Sequence, residues 1–114
     1  MNLDAIFGIH PQILQYRNDR SAVLASNIAN VDTPHYKSMD LQFSVMFNKI
    51  ADNEKIDIKQ ESFYRIPLQK SKDGNTVELE REQAKFAQNA MEYQQSLAFL
   101  KSKIAGLKNA IKGE

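Results

Sequence analysis

The stretch ASNIANVDTPHYK, residues 25–37, ends a helix and turns the chain out of it. Thr33 precedes Pro34, and the residue before a proline is pushed out of helical backbone geometry. The helix must therefore finish near Val31. His35 follows where a turn is expected, and histidine is among the residue types enriched at positive φ, so we predict that it is a turn residue.

Upstream of this stop, the chain is predicted to form one helix from Pro11 to about Asn30, because proline suits the first helical position. One helix face is centred on the apolar residues Leu24 and Ile28. A separate stripe of small residues would allow a second backbone to approach closely, and it consists of Ala22, Ala25 and Ala29. Two faces of different texture predict two neighbours for this helix.

The C-terminal third carries a heptad pattern. Apolar residues recur in steps that alternate four and three, with one polar lapse at Gln83, as in a helix that packs along another helix. This predicted seam consists of Leu79, Phe86, Ala90, Tyr93, Leu97, Leu100, Ile104, Leu107 and Ile111. We place the helix at residues 77–111, with Asn75 as its N-cap and Glu78 as the capping-box partner. A helix of roughly 50 Å is longer than one small domain covers, so it needs partners outside its own chain.

The segment between the helices, residues 38–75, is rich in polar side chains with only scattered apolar ones. Apolar and polar residues alternate over residues 41–47, as in a brief strand, but no hairpin turn signal links such runs. We therefore divide the chain into an N-terminal unit of residues 1–37, an irregular, partly disordered or short-β middle, and a C-terminal unit of residues 76–114. The predicted fold is mainly α, with long terminal helices paired as an antiparallel coiled-coil-like hairpin.

Composition argues against several classes of function. The 114 residues carry a formal net charge of +1, which gives no electrostatic reason to bind nucleic acid or an anionic bilayer. Cysteine is absent, so disulfides and thiolate metal sites are excluded, and the two histidines lack partners at ligand spacing. No apolar run approaches the roughly 20 residues of a membrane span. The N-terminus lacks the features of a cleaved secretory signal peptide.

Enzyme chemistry is equally unsupported by the sequence. The four glycines do not form a phosphate-binding or dinucleotide-binding motif, so we expect no cofactor. Glu78 and Glu82 lie four residues apart on one helix face and would allow acid–base catalysis. A solvated helix start, in which the acidic residues complement the helix dipole, is the favoured interpretation of that pair. We predict no catalytic and no metal-binding residues.

The stretch LASNIANVDTPHYK, residues 24–37, resembles the signature of the flagellar axial-protein family, which comprises rod, hook and hook-filament junction subunits of the bacterial flagellum. The residues that match the family motif are Asn27, Ile28, Ala29, Asn30, Thr33, Pro34 and Tyr36. His35 stands where the family commonly has glycine. DGNTVELERE, residues 73–82, and KSKIAGLKNAIKG, residues 101–113, are similar to the C-terminal part of the small rod proteins. The short length is most similar to the proximal-rod subunits.

This resemblance implies a structural building block of the flagellar drive shaft. Such subunits pass through the flagellar type III export apparatus without a cleaved signal peptide, and they assemble in the periplasmic rod of the basal body. The implied partners are copies of the chain, other rod subunits, the basal-body ring and the export gate. Phe43 and Phe47 resemble an export-gate recognition pattern. The alternative is a cytoplasmic coiled-coil adaptor or regulator with a flexible linker.

Within the motif, we predict a corner between the helical layer and the middle segment. Asn27 and Asn30 are suited to hydrogen-bond backbone groups of a neighbouring loop or of their own helix end. Tyr36 can bury its ring while its hydroxyl stays at a wet boundary. Because a two-helix hairpin buries little area, we expect the isolated subunit to be largely unfolded or oligomeric and to become ordered on assembly.

Overall fold

The computed structural model describes residues 8–50 and 53–113, and of residues 47–50 and 53–56 it describes the backbone alone. Four elements follow one another along the chain: helix α1 (His10–Ala29), strand β1 (Met39–Ile50), strand β2 (Asn53–Tyr64) and helix α2 (Leu79–Lys112). The mainly helical prediction is therefore confirmed, and a two-stranded antiparallel sheet separates the helices.

Helix α1 begins and ends close to where the sequence predicted. Pro11 lies in its first turn, where a missing backbone N–H costs nothing. At its end, Asn30 N–H donates to the Ser26 and Asn27 carbonyl oxygens at 3.1 and 3.2 Å. His35 has a φ of 61°, so the prediction that it is a turn residue is confirmed.

The middle segment forms longer strands than the sequence predicted. β1 and β2 contain 12 residues each, and their register runs from Met39 opposite Tyr64 to Ile50 opposite Asn53. A two-stranded hairpin alone is marginally stable, so it needs a packing partner. α1 provides it: the rings of Tyr16 and Phe43 lie 4.7 Å apart, and the Tyr16 hydroxyl donates to the Leu41 carbonyl oxygen at 2.9 Å.

Helix α2 starts at Leu79, two residues later than predicted, and the predicted cap is wrong. Glu78 occupies the N-cap position in an extended conformation, without a side-chain cap. The side chain of Asn75 bonds the end of α1 instead, as described below. At the other end, Gly113 adopts a left-handed conformation with a φ of 74°, a common helix stop.

The two helices run antiparallel. His10 lies against Phe99, with ring centroids 4.8 Å apart. About two helix turns further along α1, Arg17 contacts Glu92. Near the end of α1, Asn27 contacts Glu82, which lies near the start of α2.

The predicted coiled-coil seam between the helices is not confirmed. Of the predicted seam residues, Tyr93, Leu97, Leu100 and Leu107 are half-buried, whereas Phe86, Ile104 and Ile111 are 36%, 37% and 77% exposed. The fully buried positions of α2 are polar, Glu82 and Asn89. The most deeply buried side chains of α2 are therefore polar, while its apolar stripe is half-buried or exposed.

The fold has a small apolar core for its size. Among the described residues only Tyr16 and Leu24 are buried apolar side chains, while seven buried residues are polar or charged. The overall extents of 63 × 35 × 17 Å also describe a long, flat body with a large surface. Polar contacts must consequently contribute much of what holds the elements together. Neither helix, as far as it is described, has an apolar stretch long enough to span a bilayer.

A candidate functional site at the junction of helices and hairpin

Asn27 joins three parts of the fold through a single carboxamide group. The side chain is fully buried. Its Nδ2 donates to the Met39 carbonyl oxygen at 2.6 Å and to Glu82 Oε2 at 3.0 Å, and its Oδ1 accepts from Met39 N–H at 3.1 Å. Asn27 on α1 therefore bonds both the carbonyl oxygen and the N–H of Met39, the first residue of β1, and it also bonds Glu82 on α2.

Four charged residues next to Asn27 form a buried ion network, which we call the charged junction: Arg20 on α1, Asp40 on β1, Arg65 after β2 and Glu82 on α2. Arg65 donates through Nη1 to Glu82 Oε1 at 2.5 Å and through Nη2 to Asp40 Oδ2 at 2.6 Å. Arg20 binds both oxygens of Asp40, at 2.8 and 3.1 Å. The formal charges cancel, as they must when ions are withdrawn from water.

The electrostatics of the charged junction keep Asp40 ionised. Burial by itself raises the pKa of this carboxyl, but the hydrogen bonds from Arg20 and from the Leu41 N–H, with the positive charges of Arg20 and Arg65, outweigh burial and lower the pKa below its usual value. Reciprocally, the hydrogen bond to Asp40 raises the pKa of Arg20. Both groups therefore carry their charges at neutral pH.

We expect the subunit to lose stability as the pH falls below about 4, because the folded state holds the Asp40 proton less tightly than the unfolded state does. The stabilisation is present above the unfolded pKa of 3.8 and is lost as the pH falls through the lower folded value. The free energy of unfolding is measured between about pH 7 and about pH 3 by urea titration, followed by the helical circular dichroism signal. A stabilising osmolyte is present throughout, so that the subunit is folded at the start of each titration. Asp40→Asn should flatten this part of the profile, and an unchanged profile would contradict the assignment.

Asn75 closes the corner that follows α1. Its Nδ2 lies 2.9 Å from the carbonyl oxygens of Asn30 and Val31 and 2.7 Å from that of Thr33. Its Oδ1 accepts from the Val77 N–H at 2.7 Å. A helix end leaves carbonyl groups without partners in its last turn. Asn75 therefore satisfies the end of α1 and does not cap the start of α2.

The segment before β1 pairs with the segment before α2. The His35 N–H donates to the Asp73 carbonyl oxygen and the Thr76 N–H to the Tyr36 carbonyl oxygen, both at 3.0 Å. The Ser38 N–H donates to Thr76 Oγ1 at 2.8 Å. These bonds bring the two ends of the middle segment together, so the hairpin projects from a closed base.

Gly74 explains how the chain accommodates His35 at the turn. Gly74 has a φ of 76°, and a Cβ atom at this position would lie 2.6 Å from Nδ1 of His35. The imidazole therefore packs directly against a backbone without a side chain. Any larger residue at position 74 would have to displace it.

The structure brings most of the axial-protein motif residues to this corner. Asn30 Nδ2 donates to the Ser26 carbonyl oxygen at 2.7 Å, and the Tyr36 hydroxyl lies 3.2 Å from Ser26 Oγ. Among the remaining motif residues, Thr33 Oγ1 donates to Asn30 Oδ1 at 3.1 Å. The others are half-buried or exposed, and their side chains make no such bonds. The predicted hydrogen bonding of Asn27 to a neighbouring segment and of Asn30 to its own helix is thus present.

The two candidate export residues lie away from the corner, on β1. Phe43 is 37% exposed and its ring contacts Tyr16. The side chain of Phe47 lies outside the described residues. The described backbone places both positions on one face of the strand, since they are four residues apart.

Sequence reasoning missed the charged junction. It assigned Glu82 to a solvated helix start, but Glu82 is fully buried, so that interpretation is wrong. Arg20 did not belong to any recognised pattern, and Arg65 lay in a polar segment, so neither arginine was marked as buried. The available signal was weak: Glu82 lies four residues before Phe86, on the same face of α2, and its burial would have been noticed only if a buried partner had been known.

The chemistry of this arrangement is structural. Both oxygens of Glu82 and both of Asp40 accept hydrogen bonds from groups of the protein. Within the part of the chain that is described, no group of three or more histidine, cysteine, aspartate or glutamate side chains is placed to hold a metal ion. The charged junction therefore holds α1, β1 and α2 together, and its carboxylate oxygens are already hydrogen-bonded within the protein.

Comparison with known proteins gives consistent matches. A family model described as "Flagella basal body rod protein" matches residues 14–37, which cover most of α1 and the corner. The chain is 42% identical to a flagellar basal body rod protein FlgB of Cereibacter sphaeroides, over 94% of each chain. It is 40% identical to FlgB of Aeromonas hydrophila, over 100% of this chain and 98% of the relative. FlgB of Escherichia coli K12 is 35% identical, over 96% and 94%.

Proposed function

The chain belongs to the FlgB family of flagellar basal-body rod proteins, and we propose that it builds the proximal rod by self-assembly through its terminal helices. Its role in the rod is structural and not enzymatic, as in the relatives named above. Membership of this family favours the rod subunit over the cytoplasmic adaptor that the heptad pattern alone left open.

The observation that carries the proposal is the apolar surface that α2 leaves uncovered. Helix α2 has 34 residues and α1 has 20, so at 1.5 Å per residue α2 is longer by roughly 20 Å. Phe86, Ile104 and Ile111 lie on one face of α2 and are 36%, 37% and 77% exposed. Exposed apolar side chains in a row along one helix are typical of a surface that packs on another protein.

The proposed partners are copies of this chain, other rod subunits and the basal-body ring. We place the subunit in the periplasmic rod, reached through the flagellar type III export apparatus and its gate without a cleaved signal peptide. The small apolar core of the described residues, Tyr16 and Leu24, supports this route because little burial must be undone before passage through a narrow channel. The partly exposed Phe43 on β1 supports a role for the hairpin in recognition by the gate.

Deletion of the gene tests the proposal. We expect flagellar assembly to stop at the proximal rod, and we expect a plasmid copy to restore swimming and to place the chain in purified basal bodies. Complete rods in the deletion strain would overturn the proposal. So would a chain that stays in the cell as a dimer whose size does not change with concentration, as an adaptor would.

Charges at positions 97 and 100 are expected to abolish incorporation into the rod while leaving expression intact. Leu97 and Leu100 are half-buried on α2, and a charged group withdrawn from water without a partner is costly. The double variant Leu97→Glu, Leu100→Glu should be missing from purified basal bodies. Ala98→Glu, at an exposed position between them, is the control and should assemble. Normal swimming of the double variant would contradict the assignment of these residues to the packing surface.

A further inference from the structure

We propose that the C-terminal part of α2, residues 100–112, binds the surface of an anionic lipid bilayer before the subunit joins the rod. We call this part the distal segment. The inference goes beyond the proposed function, because it concerns the unassembled chain. The distal segment extends past the start of α1: that helix begins at His10, whose ring lies against Phe99. From there α2 continues to Lys112, a length of about 20 Å at about 1.5 Å per residue.

Positive charge is concentrated in the distal segment. It contains four lysines, all with exposed side chains: Lys101, Lys103, Lys108 and Lys112. No aspartate or glutamate occurs between residues 93 and 113, so no neighbour along the helix neutralises these lysines. The net charge of +1 for the whole chain hides this local charge, because the acidic residues other than Glu114 lie before residue 93.

The helix dipole does not account for most of these lysines. Cations near a helix C-terminus complement the dipole, but the effect falls off within the last turn. Lys112 is the basic residue in the last turn of α2. The other three lysines lie further upstream, where the dipole gives little reason for their sign, so their charge is available to complement an anionic partner.

The lysines flank an apolar stripe. With 3.6 residues per turn, the apolar side chains of the distal segment lie within about 60° of one another on the helix surface, and they are Leu100, Ile104, Leu107 and Ile111. Lys101 and Lys108 follow one edge of this stripe, and Lys103 follows the other. Ile111 is 77% exposed. The distal segment therefore presents a narrow apolar surface between two basic edges.

This arrangement fits an anionic lipid surface better than an acidic protein or a nucleic acid. A basic amphipathic helix lies in the plane of the membrane interface, with its apolar side chains among the acyl chains and its lysines reaching the headgroups. Protein interfaces are depleted in lysine and enriched in arginine and aromatic residues, and the distal segment has neither of those enriched types. A nucleic acid would pair with the lysines through its phosphates but would leave the apolar stripe in water.

The lipid contact and the rod contact compete for one surface. The proposed function assigns Ile104 and Ile111 to packing against other rod subunits, and the same two side chains would enter the bilayer. The subunit must therefore leave the lipid surface when it assembles.

Flotation of the purified full chain with vesicles tests the proposal. We expect binding to vesicles of equal parts phosphatidylcholine and phosphatidylglycerol that weakens at high salt, and at least tenfold weaker binding to pure phosphatidylcholine. The double variant Lys101→Gln, Lys108→Gln should bind the anionic vesicles at least tenfold more weakly, because each lysine at an anionic surface contributes roughly fivefold. Lys70→Gln, Lys72→Gln is the control with the same change of charge. Both of its positions are exposed and precede α2, so it should bind normally.

The contribution of the apolar stripe is tested by a second pair of variants. Ile111→Gln should weaken binding to the anionic vesicles about tenfold, because the side chain no longer gains from leaving water. Ile66→Gln is the matched control and should bind normally, since Ile66 is 84% exposed and lies outside α2. Both isoleucines are exposed, so neither substitution leaves a cavity in the subunit.

Equal binding to anionic and neutral vesicles would overturn the proposal, and so would equal binding by the distal and control variants of either pair. Displacement of the chain from the anionic vesicles by polyglutamate or single-stranded DNA, at a matched concentration of negative charge, would also overturn it, since an acidic protein or a nucleic acid would then be the better partner. Failure of vesicle binding leaves the proposed function intact, whereas absence of the unaltered chain from purified basal bodies refutes the proposed function alone.

Discussion

Replacing Arg65 with methionine should cost about 3–5 kcal/mol, because removal of one partner from a buried ion pair leaves an uncompensated charge. Arg65 binds Asp40 at 2.6 Å and Glu82 at 2.5 Å, and its side chain is only 6% exposed. Methionine keeps much of the volume, so the loss reports the charge and not a cavity. The concentration of the osmolyte trimethylamine N-oxide needed for half-maximal helix formation measures the shift.

Arg81→Met is the matched control for this experiment. Arg81 forms an ion pair with Glu78 at 3.5 Å, and the two side chains are 35% and 30% exposed. Partly exposed pairs of this kind contribute about 0–1 kcal/mol. Similar shifts for Arg65→Met and Arg81→Met would show that the charged junction does not stabilise the fold in the way described.

Replacing Asn27 with leucine should cost at least about 3 kcal/mol, since each buried group that loses its partner costs about 1–3 kcal/mol. Three groups lose one: the N–H of Met39, the carbonyl oxygen of Met39 and Oε2 of Glu82. Leucine is similar in size and apolar, so packing alone would favour it. The same osmolyte titration measures the result, and purified basal bodies should lack the variant.

The other asparagine of the motif serves as the comparison. The hydrogen bonds of the Asn30 side chain, to the Ser26 carbonyl oxygen and from Thr33 Oγ1, lie at the exposed surface. Water can replace them, and Asn30→Leu should therefore cost less than about 1 kcal/mol. If Asn30→Leu destabilises the subunit as much as Asn27→Leu, the distinction between a buried and an exposed motif asparagine is wrong.

Local sequence signals were sufficient for the helices. Pro34 ends α1 through sterics on the preceding residue, and this effect does not depend on the rest of the fold. The alternation of four and three residues likewise marks α2 whatever it packs against. The positive φ of His35 followed from its place after Thr33 and Pro34.

Long-range polar contacts were not predictable in the same way. Glu82 is separated by 17 residues from Arg65 and by 55 from Asn27, and nothing in its local sequence distinguishes it from an exposed glutamate. The fully buried positions of α2 were missed for this reason: an apolar stripe normally marks the packed face, but the fully buried side chains are the polar Glu82 and Asn89. Part of the apolar stripe, at Phe86, Ile104 and Ile111, is exposed.

The hairpin was underestimated because its stability is also non-local. Strand alternation over residues 41–47 was visible, but the contacts that support the hairpin come from α1. Gln12 Oε1 accepts from the Ile58 N–H at 2.9 Å, and Tyr16 binds Leu41. A helix 25 residues away therefore gives the two strands the support that a hairpin lacks by itself.

Far-ultraviolet circular dichroism of the purified full chain at micromolar concentration tests most directly whether the subunit becomes fully ordered only among its neighbours. Because Tyr16 and Leu24 are the only buried apolar side chains among those described, we expect far less helix than the 20 residues of α1 and 34 of α2, a broad melt, and a helical signal that rises with protein concentration. A sharp cooperative melt with the full helix content, independent of concentration, would contradict this view of the subunit.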